Sequence, residues 1–600
     1  MADAATIPTR TEVKPDDAWD LSKLYANDEA WEKGYEEFAE KAGSIESFKG
    51  TLGRSADALA DCLDFMMELG QLEERLGYYA MLRYSEDAGD SANQARQAKF
   101  MQIASKADAS ASYQAPEIQA IPEDTMKKFL ESDRLAPYRI YLEKLLRYKP
   151  HILSESEEKL LAMQQEANQT ARSAFSALTD VDMDFGDIET PEGTRPLSQS
   201  SYGALMLHKD RDVRAKAYDQ FMGVFEGHKN TLATLYTGSI QLDVYRARAR
   251  NFSSARAAAL FPDKVPESVY DSLINAVHGN LGVLHEYYEL RRRALGVDRL
   301  RLYDTRVPLV SEIDVDNPYE TAVDMVTEAL SPLGDEYVAT LGAGLRGGWV
   351  DRYENKGKRS GAFSAGSFVG DPYILMNYKS DVLSDVFTLA HEGGHSMHSW
   401  YSVRNNPYQN YSYTIFEAEV ASTFNEQLLH THLFENADSD RMRAYLVNRQ
   451  IDQIIGTLYR QTMFAEYERT VHQIVEGGRP LSLDVLRSEY RSLLETYFGA
   501  DVALEETSDL EGLRVPHFYR AFYVYKYATG ISAAITLSKK VLEGGSSDLE
   551  AYLAFLKSGG SKYPIESLRT AGVDMETPEP VDTALSYFAE LVEELAGLMK

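Results

Sequence analysis

Hydrophobic positions return at helical spacing along most of this chain. In residues 17–45, 55–85, 90–112, 155–177 and 208–250, apolar side chains recur every three or four positions and polar ones fill the opposite face, which predicts amphipathic helices. From Pro480 onward the pattern resumes, interrupted at Gly544-Gly545-Ser546-Ser547. Val181 to Pro196 breaks it with Asp-Ile-Glu-Thr-Pro-Glu-Gly-Thr-Arg, the composition of a hairpin or turn. That stretch marks a boundary between an N-terminal helical domain, residues 1–197, and a second domain, residues 198–600. Asp371-Pro372-Tyr373-Ile374-Leu375-Met376-Asn377-Tyr378 is a short apolar and aromatic run opened by Pro, which predicts an edge strand. Residues 357–366, rich in Gly and small side chains, read as a loop and lack a Walker spacing. No internal repeat or low-complexity tract is visible. The expected class is mainly α with a small sheet.

One apolar helix carries chemistry. Val382, Leu383, Val386, Phe387 and Leu389-Ala390 repeat at helical spacing, with Ser380 or Ser384 as candidate N-caps. They lead into His391-Glu392-Gly393-Gly394-His395, an HExxH pentapeptide. Positions i and i+4 share a helix face, so both imidazoles can converge on one Zn²⁺ at about 2.0–2.1 Å. Glu392 then sits beside the ion, placed to take a proton from a bound water. The two glycines keep side chains away from the metal and from a neighbouring element. A catalytic zinc usually has three protein ligands. His398 lies most of a turn beyond His395, too far along one straight helix to join them. A second helix is expected over 414–428, with Val420, Phe424 and Leu428 on one face and Glu419, Ser422, Thr423 and Glu426 on another. Packed against the first, it can deliver Glu419 to the metal. Glu417 is the rival, pointing roughly 200° away around the helix. Glu426 is suited to hydrogen-bond a ligand imidazole.

Amide hydrolysis also needs a donor for the developing oxyanion. Val515 to Tyr527 holds one His and four Tyr, and Tyr519, Tyr523 and Tyr527 fall at i, i+4 and i+8, one face of a continuous helix.

HEGGHSMH followed by FEAEVASTFNE resembles the oligoendopeptidase F branch of the thimet-oligopeptidase-like zinc peptidases. The resemblance extends to PYILMNY, PHFYRAFYVYKYATG and GGSKYPIESLRTAGVDMETPEP, and so over most of residues 200–600. It implies a two-lobed, multi-helix zincin fold with a small β-sheet near the active site and a deep substrate cleft. It implies one Zn²⁺ per chain held by His391, His395 and Glu419, with Glu392 as general base. His517 and one or two tyrosines, Tyr527 first, then Tyr523, with Tyr525 as a further option, are implied to face the metal. Residues 198–600 then form the catalytic domain. The implied activity is hydrolysis of internal bonds in oligopeptides. A dipeptidyl carboxypeptidase would instead need cationic groups for the substrate's terminal carboxylate, and a non-catalytic peptide-binding protein would have no use for the intact pentapeptide.

Composition narrows the partners. Forty-four per cent hydrophobic and 11% aromatic residues suit a packed, enzyme-sized protein. A net charge of −31 disfavours nucleic acid and anionic membrane. The only cysteine, Cys62, excludes an internal disulfide and fits a reducing cytoplasm. MADAATIPTRTEVKPDD has no apolar core of a signal peptide, and no run of 18 apolar residues is present, so a cytoplasmic protein is expected. Oligomeric state is not readable from these features.

Overall fold

The computed structural model describes residues 7–310 and 313–600. The chain is mainly α, with only small sheets. No described helix is long and apolar enough to cross a membrane. Two compact units are present, each assembled from three segments. The first comprises Met1–Lys149, Asp314–His432 and Leu537–Val573, and the second Pro150–Ile313, Leu433–Thr536 and Asp574–Lys600. This division differs from a single cut after residue 197. The expected hairpin is present as Asp187–Thr190 paired antiparallel with Gly193–Pro196, but it lies inside the second unit.

In the first unit, helices Asp28–Ala42, Ala56–Glu86 and Ser91–Ala111 start where Asn27, Ser55 and Asp90 accept backbone N–H groups. Their apolar faces bury Trp31, Phe38, Leu69 and Leu76 together with Tyr373 and Leu375 of a three-stranded sheet. In that sheet Pro372–Leu375 is central, parallel to Val350–Asp351 and antiparallel to Phe363–Gly366. The run opened by Pro is therefore not an edge strand. Pro372 occupies its first position, where a missing N–H costs no ladder bond. The N–H groups of Ile374 and Met376 donate to Trp349 and Asp351 at 2.7 and 2.8 Å. The edge is Phe363–Gly366, the tail of the segment that reads as a loop.

The second unit is built on long helices, among them Lys229–Ala249, Asp440–Ile454, Arg460–Glu476 and Glu579–Leu598. Two predicted helices are each divided. Residues 155–177 form Glu155–Met163 and Thr170–Ala177, and residues 208–250 form Arg211–Gly227 and Lys229–Ala249. The tyrosine stretch is not one helix either. Pro516–Tyr519 is a 3₁₀ turn, and the α-helix begins only at Tyr525. Between them Phe522 takes φ +58°, a left-handed conformation costly for a bulky residue. Its N–H donates to the buried carboxyl of Glu468 at 3.0 Å, and its ring packs on Tyr270 and His472. Tyr519, Tyr523 and Tyr527 therefore share no helix face.

Candidate metal centre

The helix Leu383–Asn405 carries the pentapeptide, and Ile415–Glu435 packs against it in the first unit. Neither candidate serine caps the first helix. Its N-cap is Val382, and the Asp385 carboxylate instead accepts the Lys379 N–H at 2.8 Å. The two helices meet at Gly394. A Cβ there would stand 2.5 Å from the Ala421 carbonyl oxygen and 2.7 Å from the Ser422 Cα, so only glycine admits this approach. Asn425 bridges the pair, donating to the Ala390 carbonyl at 3.1 Å and accepting from the Tyr337 hydroxyl at 3.1 Å.

This packing brings His391, His395 and Glu419 together. Glu419 Oε2 lies 3.6 Å from His391 Nε2 and 4.0 Å from His395 Nε2, and one ligand atom from each of the three lies within 4.8 Å of the others. A tetrahedral ion with bonds near 2.0–2.1 Å has ligand–ligand edges of about 3.4 Å. The donor set therefore fits zinc with small side-chain adjustment. The three side chains keep 18–29% of their surface open, so the site is reachable by ligand.

Electrostatics point the same way. His391 Nδ1 donates to Glu426 Oε1 at 2.7 Å, which fixes the tautomer that leaves Nε2 for a metal. Burial lowers the His391 pKa, but Glu426, Glu392 and Glu419 outweigh it and hold the imidazole up at about 9. Three carboxylates around one imidazole make a place that favours a cation. His395 is driven the other way, well below the usual histidine range, by burial and by the charge of His391. It is held in the neutral form that binds metal. Burial pushes the Glu392 carboxyl up to about 7, a value suited to exchanging protons at neutral pH. Against this, His391 and the backbone N–H of Ser364 on the edge strand favour the Glu392 carboxylate.

The rival ligands are accounted for. Glu417 turns into the interior, where its carboxylate accepts from Thr414 N and Oγ1 at 3.2 and 3.1 Å. His398 is buried, stacked on Tyr413 with ring centroids 3.6 Å apart, and burial holds its pKa down at about 3.

His517, Tyr523 and Tyr527 form a separate cluster in the second unit. Ring centroids lie 6.1 Å apart for His517 to either tyrosine and 5.4 Å apart for the tyrosine pair. Burial and the charge of Arg520 lower the His517 pKa from the usual histidine value. Tyr519 packs on Phe175, and Tyr525 is buried against Tyr270, so neither joins this cluster. The segment 357–366, which reads from sequence as a loop, holds the edge strand Phe363–Gly366. Ser364 Oγ lies 2.8 Å from Ser396 Oγ on the helix that carries the pentapeptide. The signal was the alternation Phe363-Ser364-Ala365 after Gly361, masked by the glycines around it.

Known proteins resemble this chain in sequence and fold. Residues 204–587 match Peptidase family M3, and residues 117–185 match Oligopeptidase F. Oligopeptidase PepF of Bacillus subtilis is 39% identical over 598 residues, 99% of this chain and 89% of that protein. A crystal structure of a Chlamydophila abortus protein superposes with a TM-score of 0.93 at 36% identity, covering 99% of this chain and 100% of that one. The crystal structure of oligoendopeptidase-F from Enterococcus faecium gives 0.74 at 34% identity, covering 95% and 99%. The chain belongs to peptidase family M3, in its oligoendopeptidase F branch.

Proposed function

We propose that this peptidase is a zinc-dependent endopeptidase that cleaves internal bonds of short peptides. The observation that carries the reading is the convergence of His391 and His395 from one helix with Glu419 from the next, beside Glu392. His391 Nε2, His395 Nε2 and a Glu419 oxygen would hold Zn²⁺, which when bound supplies a Lewis acid that polarises a carbonyl and acidifies water. Glu392 takes the proton of the attacking water on its carboxylate and passes it to the leaving amine. Glu426 holds the His391 ring in register through Nδ1. No described strand pairs with the outer side of Phe363–Gly366, so this edge can align an extended peptide by main-chain hydrogen bonds once the peptide displaces the Tyr78 hydroxyl from the Gly366 carbonyl and the Glu392 carboxylate from the Ser364 N–H. That mode of binding reads backbone shape over sequence.

His517, Tyr523 and Tyr527 are assigned as oxyanion donors on their match to the family pattern and their mutual clustering. Tyr527→Phe should lower kcat by ten- to a thousandfold with little change in KM; an equal loss in Tyr525→Phe with none in Tyr527→Phe would reverse the assignment. The match to the peptidase family over residues 204–587 supports treating 198–600 as the catalytic part. A single, buried cysteine supports a cytoplasmic setting.

The deciding experiment is Glu392→Gln. It should retain stoichiometric zinc while hydrolysis of a quenched peptide blocked at both ends falls by several orders of magnitude. Near-normal turnover in that variant would refute the mechanism. Failure of the unaltered enzyme to cut the doubly blocked peptide, with cleavage of its free acid, would show a carboxypeptidase.

A further inference from the structure

The second unit contains a half-open cleft of about 600 Å³ whose wall carries three guanidiniums, Arg306, Arg460 and Arg514, and the carboxylate of Glu511. All four belong to Pro150–Ile313 and Leu433–Thr536, so the cleft lies within one unit. Two of the arginines are committed to Glu511. Arg460 is ion-paired with its Oε1, and Arg514 Nη2 lies 3.6 Å from the same oxygen. The other oxygen accepts from the Tyr490 hydroxyl at 2.9 Å. Burial opposes ionisation of Glu511, but Arg460, Arg514 and Arg306 overcome it and hold the carboxyl at about 2. A second carboxyl in the wall, Asp452, is also occupied, accepting from Asn448 at 2.8 Å and Tyr287 at 3.1 Å.

Arg306 is the residue left over. Among the described residues it donates no hydrogen bond and makes no ion pair, and its open surface borders the cleft. The repulsion of Arg460, then burial, lowers its pKa from the usual arginine value, yet the group stays charged. A guanidinium that borders a cleft without a protein partner among the described residues, flanked by two more guanidiniums, is the complement of a planar anion. The ring of Phe464, which Arg460 overlies at 5.0 Å, and that of Tyr288 give the same space apolar walls.

We infer that this cleft is an anion site that takes a carboxylate, anchored by Arg306 and flanked by Arg460 and Arg514. Two sources offer that chemistry, a free small carboxylate and the C-terminal carboxylate of a peptide. His517, proposed above as an oxyanion donor, also lines this cleft, so the peptide-terminus source deepens the proposed function and rests on it, whereas acetate binding tests the anion site by itself.

The test is calorimetry and thermal unfolding of the zinc-loaded full chain at fixed ionic strength. The probes are acetate and an N-acetyl dipeptide with apolar side chains, as free acid and as C-terminal amide. Saturable acetate binding, weakened at least tenfold in Arg306→Met, supports the site. If the dipeptide acid also binds at least tenfold more tightly than its amide, and Arg306→Met removes that preference, the natural ligand is a peptide terminus. If only acetate shows the dependence, it is a free carboxylate. Binding of both acids that is absent, or unchanged in Arg306→Met, overturns the inference. Should Arg306→Met not fold, crystals of the unaltered protein soaked in bromide decide. Anomalous density among the three guanidiniums supports the site, and bromide ordered elsewhere but not there overturns it.

Discussion

Gly394→Ala isolates the contact that assembles the metal centre. The added Cβ would stand 2.5 Å from the Ala421 carbonyl oxygen, whereas ordinary contact begins near 3.4 Å, so the helices must separate locally by about 0.9 Å. Both atoms it meets first, the Ala421 oxygen and the Ser422 Cα, are backbone, and no side-chain rotation relieves the clash. Overpacking of this kind costs about 1–3 kcal/mol, while alanine in place of glycine in a helix interior returns about 1 kcal/mol. Stability should therefore fall by no more than about 2 kcal/mol, and the protein should fold. The metal centre is less forgiving. His395 follows Gly394 on one helix and Glu419 precedes Ala421 on the other, so a separation of this size widens the 3.6 and 4.0 Å gaps between ligand atoms. Ligand distances tolerate about 0.2 Å. Zinc affinity should drop at least tenfold, about 1.4 kcal/mol, measured by competition with a chromophoric chelator. Gly393→Ala is the control, because its Cβ would meet only the end of the Leu341 side chain, at 3.2 Å. That variant should bind zinc normally. Zinc binding within about twofold of wild type in Gly394→Ala would refute the claim that this close approach sets the ligand geometry.

Two further outcomes follow from the same structure. Glu426→Gln removes the carboxylate that orients His391 and should cut zinc affinity about 10–100-fold, with turnover restored at saturating zinc; loss of turnover that zinc cannot restore would place Glu426 in the chemistry itself. Glu511 gives a pH dependence with a definite sign. Its folded pKa, about 2, lies below the unfolded value near 4.3, so its stabilisation is complete above about pH 4.3 and is lost as pH falls toward 2. Urea midpoints of wild type and Glu511→Gln should differ most at neutral pH, by about 1–3 kcal/mol, and converge toward pH 2. Parallel curves would show that the arginines do not depend on this charge.

What the chain discloses before folding is what depends on near neighbours. His391, Glu392 and His395 could be placed together because a single helix turn positions them, and Leu383–Asn405 forms from its own apolar repeat. Glu419 needed one assumption more, that a second amphipathic helix packs on the first. The glycine that permits it stands inside the motif. The tyrosine stretch shows where such reasoning fails. Spacing of i, i+4 and i+8 implies a shared face only if the helix is continuous, and Phe522 breaks it for a reason 54 residues away, the carboxyl of Glu468 that takes its N–H. The strand opened by Pro372 was displaced from the edge by partners at Trp349 and Asp351, which no local pattern names. The boundary expected after residue 197 likewise rests on a local signal. The hairpin there is real, but the units are defined by contacts among segments hundreds of residues apart.

Arg306, Arg460 and Arg514 extend that argument to function. Separated by 154 and 54 positions, they carry no spacing that a motif could encode. Singly, each reads as a surface arginine, and only the fold places the three on the wall of one cleft. A zinc site can be built from two adjacent helices because a small, strongly charged ion demands few ligands at short range. An anion pocket of this volume needs walls, and walls come from tertiary structure. The two histidines and Glu392 of the candidate metal centre were therefore legible from one pentapeptide, Glu419 only with a second helix, and the cleft was not legible from any segment.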